Sequence, residues 1–242
     1  MGLDQSPTIV TNDLLFYLDP GNLRSYSGSG NTCYDLSGNS NHGFLVNSPT
    51  FNSSGPASNF SFNGSTQYIN ISTSPNTFTY NRSSFTVIGW VRYPTLPNPD
   101  YTGTILAKWN IGSGQSNEFI LNTDSGRKFV LAVDFDDGQT WDGASNDTAI
   151  STTSYTTNTW YNVCGTFNNG VTSIYVNGLF EHSVTSIYTT VRTDNTAYMR
   201  SALFNNNIYA VGQRGILQMY NRALSAQEIL QNYIATKRRY GL

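Results

Sequence analysis

The closest set of reactive groups in this chain is Asp134-Phe135-Asp136-Asp137. On a strand, Asp134 and Asp136 share a face, about 6.6 Å apart along the backbone. Two carboxylates on one face can grip sugar hydroxyls or ligate calcium. They can also cleave a glycoside, which in a retaining mechanism needs carboxyls about 5–5.5 Å apart. The same residues equally suit a solvated strand end opening a loop. The run Asp134–Gly138 puts glycine at the fifth position and lacks glutamate at the twelfth, so it is not an EF-hand loop. The three glutamates, Glu118, Glu181 and Glu228, lie far apart in sequence. His42 sits in a Gly/Asn turn and His182 follows a hairpin strand, and no Gly-x-Ser-x-Gly elbow accompanies either. A nucleophilic triad is therefore not expected.

Ring faces offer a second kind of chemistry. Trp141 lies in Gly138-Gln-Thr-Trp-Asp-Gly143, without apolar alternation to hide it. Beside Asp136 and Asp142 it reads as a sugar platform, or as a lid folded back on the core. Trp109, at a strand end, and Tyr101, between Pro99 and Gly103, are further platform candidates. Trp90 and Trp160 fall in strand contexts and read as core. One shallow site of this kind binds at about millimolar, roughly −4 kcal/mol. Adhesion then needs many copies, with avidity adding roughly 10²–10⁴. Asp19, Asp35 and Asn39 supply oxygens that suit calcium, or that hydrogen-bond their own turns. No cofactor is required by these readings, and calcium is the one ion they accommodate. Lys237-Arg238-Arg239 is either a solvated helix end or a handle for an acidic partner subunit.

Composition narrows the partners. Net charge is −2 and 12% of residues are charged, so nucleic acid, which needs a basic surface, is not an expected partner. Aromatic residues reach 14%, with tyrosine the most numerous, and suit neutral hydrogen bonds and ring stacking. No apolar run approaches a membrane span, so membrane insertion is not expected. The start, Met-Gly-Leu-Asp-Gln-Ser, lacks a charged region followed by an apolar stretch, so no secretory signal is expected. Cys164 lies in an apolar strand and reads as a buried thiol, while its pairing with Cys33 stays open.

The elements that must position these groups are strands. Trp160–Gly178 reads as a hairpin turning at Asn169-Gly170, with a second turn at Asn177-Gly178. Phe85–Tyr93 is apolar on both faces and reads as a central strand, ended by Pro94, Pro97 and Pro99. Further strands are expected at 14–18, 60–62, 68–71, 104–108, 118–122, 128–135, 208–211 and 215–220. Residues 19–59 read as irregular, and 136–159 as a long polar connection of the functional kind. One helix is expected near the end: Ser225-Ala-Gln-Glu228 is a capping box, with Leu224 and Ile229 at staple positions. Ile229, Leu230 and Tyr233 form its apolar stripe. The sum is one all-β domain over 1–242.

Three of these segments form a pattern in order. Phe85–Trp90, Trp160–Gly178 and Met219–Ile229 together resemble the laminin-G-like domains of the concanavalin A-like lectin/glucanase superfamily. Leu18–Asn22, Asp35–Asn39 and Asn41–Gly43 are similar to a subgroup found in marine bacterial and phage proteins. The resemblance implies a jelly-roll β-sandwich of two antiparallel sheets, first and last strands adjacent, with one short C-terminal helix. It implies glycan or protein binding on rim loops or on the concave sheet, sometimes with calcium. Glycosidases of this superfamily carry Glu-x-Asp-x-x-Glu, which is absent here. An acidic pair common early in the last strand is replaced by Gly215 and Ile216. The resemblance therefore implies a non-catalytic module on a virion surface, assembled in the host cytoplasm among other virion subunits and serving adhesion or glycan binding. A purely structural virion protein and an atypical glycoside hydrolase are the alternatives.

Overall fold

The computed structural model describes residues 7–71, 78–95, 103–110, 116–135, 148–192, 197–204 and 207–242. In chain order the strands begin with β1 (Leu14–Leu18), β2 (Thr32–Cys33), β3 (Gly43–Val46), β4 (Thr50–Asn52), β5 (Asn59–Asn63) and β6 (Tyr68–Asn70). Next come β7 (Ser84–Arg92), β8 (Leu106–Asn110), β9 (Ser116–Thr123), β10 (Lys128–Val133), β11 (Thr148–Ser154) and β12 (Trp160–Asn168). The last are β13 (Val171–Val176), β14 (Leu179–Thr185), β15 (Met199–Ser201), β16 (Leu203–Phe204), β17 (Ile208–Tyr209) and β18 (Val211–Tyr220). Helix α1 (Ala226–Lys237) follows, running into a 3₁₀ turn over Arg238–Tyr240.

Two antiparallel sheets stack as a jelly-roll sandwich. Sheet I runs β14-β13-β12-β7-β18-β5-β4, with β1 alongside the end of β18. Sheet II runs β11-β10-β9-β8-β15-β6-β3-β2. The first and last strands are neighbours, with Leu18 opposite Leu217. Strand β7 is central, between β12 and β18, and its seven inner residues are all buried. That explains why it is apolar on both faces. Its inward side chains Phe85, Val87 and Val91 join Phe119, Leu121, Leu131 and Val133 of sheet II in the main core.

Turn chemistry sets the register. Asn169 and Gly170 have φ of 47° and 92°, the left-handed pair that a two-residue hairpin needs. Asn177 and Gly178 repeat it between β13 and β14. Residues 19–59, expected to be irregular, hold β2, β3 and β4. Residues 148–154, inside the expected long connection, form β11 against β10. These strands are short or rich in Ser, Thr and Asn, so pairing rather than side-chain pattern defines them. Both cysteines are buried free thiols, and burial pushes Cys33 up to about 12.

Candidate functional site

The two outer faces of the sandwich differ, and the difference leaves one of them as the candidate site. On sheet I, Ser225 accepts from the Glu228 amide and Glu228 accepts from the Ser225 amide, closing the capping box and starting α1. Leu224 and Ile229 pack in one cluster with Ile88 and Tyr220. The buried side of α1 is Ile229, Asn232 and Thr236. Leu230, expected in the apolar stripe, instead points outward at 36% exposure. Tyr240 stacks on Trp90 with centroids 4.0 Å apart, and Tyr233 stacks at 5.9 Å. The Trp90 indole donates to Thr236 Oγ1 at 3.0 Å, and the Ile216 amide donates to the Tyr240 hydroxyl at 3.0 Å. A Cβ on Gly215 would lie 2.3 Å from that hydroxyl. Gly215 and Ile216 thus stand under the C-terminal turn, where carboxylates would be sealed from solvent.

The basic tail takes part in this seal. Arg239, read as part of a solvated helix end or of a partner handle, does neither and turns inward: Nη1 and Nη2 donate to Asp19 Oδ2 and Oδ1 at 2.7 and 2.5 Å. Its Nε donates to the Pro56 carbonyl. Burial opposes its charge, but the Asp19 hydrogen bond and charge outweigh that and raise it above the ordinary arginine value. Lys237 lies over the Tyr233 ring at 5.5 Å, and Arg238 is exposed. Asp19, expected as a cation ligand, is almost wholly buried and also accepts from Tyr17 Oη and the Gly21 amide. Asp35 accepts from the amides of Tyr17, Ser37 and Asn41 and from Ser37 Oγ. Asn39 donates to the Leu14 and Leu15 carbonyls. These three residues fasten the loop after β1 to β1 itself, and their chemistry is that of turn formation. Among the described residues no group of three or more His, Cys, Asp or Glu is placed to hold a metal ion.

Sheet II presents the other face. One ladder rung crosses all eight strands: Thr148, Ala132, Ile120, Ala107, Arg200, Asn70, Phe44 and Thr32. Their chain neighbours Leu121, Leu131, Met199, Ile69 and Leu45 fill the core, so the rung faces outward. Towards one end the face is closed by the β16–β17 hairpin, whose Phe204 packs with Ala107, Trp109, Ile120 and Ala132. Trp109, expected as an open sugar platform, is covered there at 3% exposure. Towards the other end the face is half-open. The Arg200 guanidinium lies 4.4 Å from the Tyr198 ring centroid and 5.5 Å from that of Tyr68. Tyr209 meets Tyr68 at 6.2 Å. Arg200, Asn70 and these three tyrosines are all half-buried. Burial draws the Arg200 guanidinium below its ordinary value, while the tyrosines oppose the shift.

The acidic residues divide. Asp134 lies between the core residues Val133 and Phe135, so it points to the outer face of sheet II, 3% exposed, with Arg192 Nε 3.8 Å away. Glu118 is the extra residue of a β8–β9 bulge and forms a buried ion pair with Lys108. Asp136, Trp141, Asp142 and Tyr101 lie outside the described residues. Arg200 and the tyrosine cluster had no sequence signal of their own. Tyr68 and Tyr198 are 130 positions apart and reach the same arginine only through the β6–β15 pairing.

Sandwich, seal and open aromatic face together define a lectin/glucanase-like β-sandwich. A laminin-G-type family model, described as the concanavalin A-like lectin/glucanases superfamily, matches residues 63–230, and the chain belongs to that family. No curated protein sequence matches it. Among solved structures, domain 4 of AbnA, a GH43 extracellular arabinanase from Geobacillus stearothermophilus in complex with arabinotriose, shares 16% identity and a TM-score of 0.61. That match covers 91% of this chain and 98% of the other. A mutant of Trypanosoma rangeli sialidase displaying trans-sialidase activity superposes with a TM-score of 0.66 at 16% identity, covering 96% of this chain and 34% of the sialidase. The chain thus spans about a third of the length of the sialidases it matches. The receptor binding domain of botulinum neurotoxin C/D mosaic serotype gives 0.65 at 18% identity, covering 93% of this chain and 51% of its own. At these identities the likeness is one of fold.

Proposed function

We propose that the chain is a non-catalytic lectin-like module that binds glycans on the outer face of sheet II and is carried on a phage particle. The supporting observation is the rung across sheet II. It sets an amide, a guanidinium and a tyrosine cluster on the broad face that α1 does not cover. Ring faces with planar polar groups are the chemistry that reads a saccharide. Asp136, Trp141, Asp142 and Tyr101, which lie outside the described residues, remain candidates for the same role by residue type alone. A non-catalytic role fits the glutamates. Glu118 pairs with Lys108, Glu181 accepts from the Thr153 amide, and Glu228 caps α1. Placement among virion subunits rests on the phage-type likeness of Leu18–Asn22 and Asp35–Gly43. The neighbour AbnA domain 4, solved with arabinotriose, lends weight to saccharide binding.

A glycan array probed with multimerised protein tests this reading. Binding is expected, and Tyr68→Ala or Tyr209→Ala is expected to abolish it while the protein stays folded. Silence across the array would overturn the reading. A structural particle subunit would then be favoured, consistent with the exposed apolar side chains Leu179, Phe180 and Ile187.

A further inference from the structure

We infer that the edge of sheet I at β14 is a docking surface for a second copy of this chain, joined strand to strand across a two-fold axis. Strand β14 ends sheet I, and among the described residues no strand pairs with its outer side. An uncovered edge is a ready template for pairing. Of the ten exposed large apolar side chains among the described residues, four fall on this strand or just past it. They are Leu179, Phe180, Ile187 and Tyr188, at 63, 54, 87 and 41% exposure. Their spacing supplies the choice of partner. Two copies of one strand related by a two-fold axis run antiparallel, so each residue meets the one equally far from a common centre. Positions 179 and 188, and positions 180 and 187, share one centre, midway between Ser183 and Val184. A single register therefore sets Leu179 opposite the second copy's Tyr188 and Phe180 opposite its Ile187, each twice.

The middle of the edge suits the same register. Glu181 accepts from the Thr153 amide at 2.9 Å and from Thr152 Oγ1 at 3.2 Å, and the Ile150 amide donates to His182 Nδ1 at 3.4 Å. The acid at the centre is thus satisfied by β11 of its own chain before any partner arrives. In the register Glu181 comes opposite Ser186 and His182 opposite Thr185, so like charges do not meet. The apolar ends are also held in place. Phe180 packs edge-on against Tyr175 with centroids 5.5 Å apart, and the Tyr188 ring lies 5.7 Å from Phe135. The Ser186 amide donates to the Gly170 carbonyl at 2.9 Å, which keeps the residues past β14 beside the hairpin turn. Side chains fixed beforehand lose little freedom on association. This inference does not rest on glycan binding.

Sedimentation velocity of the full chain over a range of concentrations tests it. A monomer–dimer equilibrium in the micromolar range is expected. Ile187→Glu and Phe180→Glu should each raise the dissociation constant at least about 10-fold, as loss of an apolar anchor does, with the melting temperature unchanged. Leu23→Glu, at an exposed apolar position outside this segment, should have no effect. If Phe180→Glu fails to fold, Ile187→Glu decides, because that side chain is the more exposed. Combining Phe180→Glu with Ile187→Lys should recover part of the dimer, since the register brings position 180 of one copy against position 187 of the other. A chain that stays monomeric up to about 1 mM would overturn the inference. So would a dimer that Ile187→Glu leaves intact, one that Leu23→Glu weakens as much, or a double variant no tighter than the single ones. Sugar binding measured on the same samples separates the two readings. A dimer silent to sugars keeps this inference and overturns the glycan reading, and a monomer that binds sugar does the reverse.

Discussion

The outer face of sheet I and the outer face of sheet II are built from the same residue types and arranged in opposite ways. Sheet I stacks Trp90 against Tyr240 and Tyr233, so ring faces meet ring faces within the chain. Sheet II holds Tyr68, Tyr198 and Tyr209 around Arg200, half-buried and partly open. Aromatic content by itself therefore does not mark a binding site. What separates the two faces is the covering element. A helix and its 3₁₀ turn close the first, fixed by a capping box and by an ion pair. A two-strand hairpin covers only part of the second.

This contrast can be broken by mutation. The largest effect is expected from Arg239→Met, which removes the guanidinium from the buried Asp19 carboxylate. Urea unfolding should show a loss of about 3–5 kcal/mol. Tyr240→Ala removes the stack on Trp90 and the acceptor for the Ile216 amide, and should cost about 3 kcal/mol by the same assay. Both variants should bind sugar normally per folded molecule. Ser225→Ala should cost about 1 kcal/mol through loss of the cap. Tyr209→Ala should change stability least, by under about 1 kcal/mol, while binding is lost. Unfolding by Tyr209→Ala, with binding lost in Tyr240→Ala, would reverse the assignment of the two faces.

A pH series sharpens the same comparison. The hydrogen bond from Arg222 holds the Glu228 carboxyl down at about 2, against an ordinary 4.5. A lowered folded-state value stabilises above the unfolded value, and the gain is lost as pH falls through the folded one. The difference in melting temperature between wild type and Glu228→Gln should be complete above about pH 4.5 and vanish towards pH 2. A gap that persists at pH 2 would show that the seal does not depend on this carboxylate's charge.

Much of the scaffold was legible because it is local. Asn-Gly turns, the apolar run of β7 and the Ser225–Glu228 box each announce themselves within ten residues. The short strands β2, β3 and β4 do not, because their stability comes from partners elsewhere. Site residues were less legible for the same reason. Asp19 and Arg239 are 220 positions apart, so one read as a cation ligand and the other as a docking handle until the fold joined them. Trp109 looked open because the strand gave no hint of Phe204 above it. The Arg200 cluster arises from pairings of β15 with β6 and β8, which no local spacing encodes.

The fastening of the chain's first described residues to α1 has a geometric consequence. Thr8 accepts from Gln231, and the Val10 amide donates to Asn232, so both ends of the described chain emerge on the helix side. A tether joined at either end would leave from behind sheet I. The tyrosine-lined surface would then point away from whatever the module is mounted on, like the face of a mirror turned from its bracket.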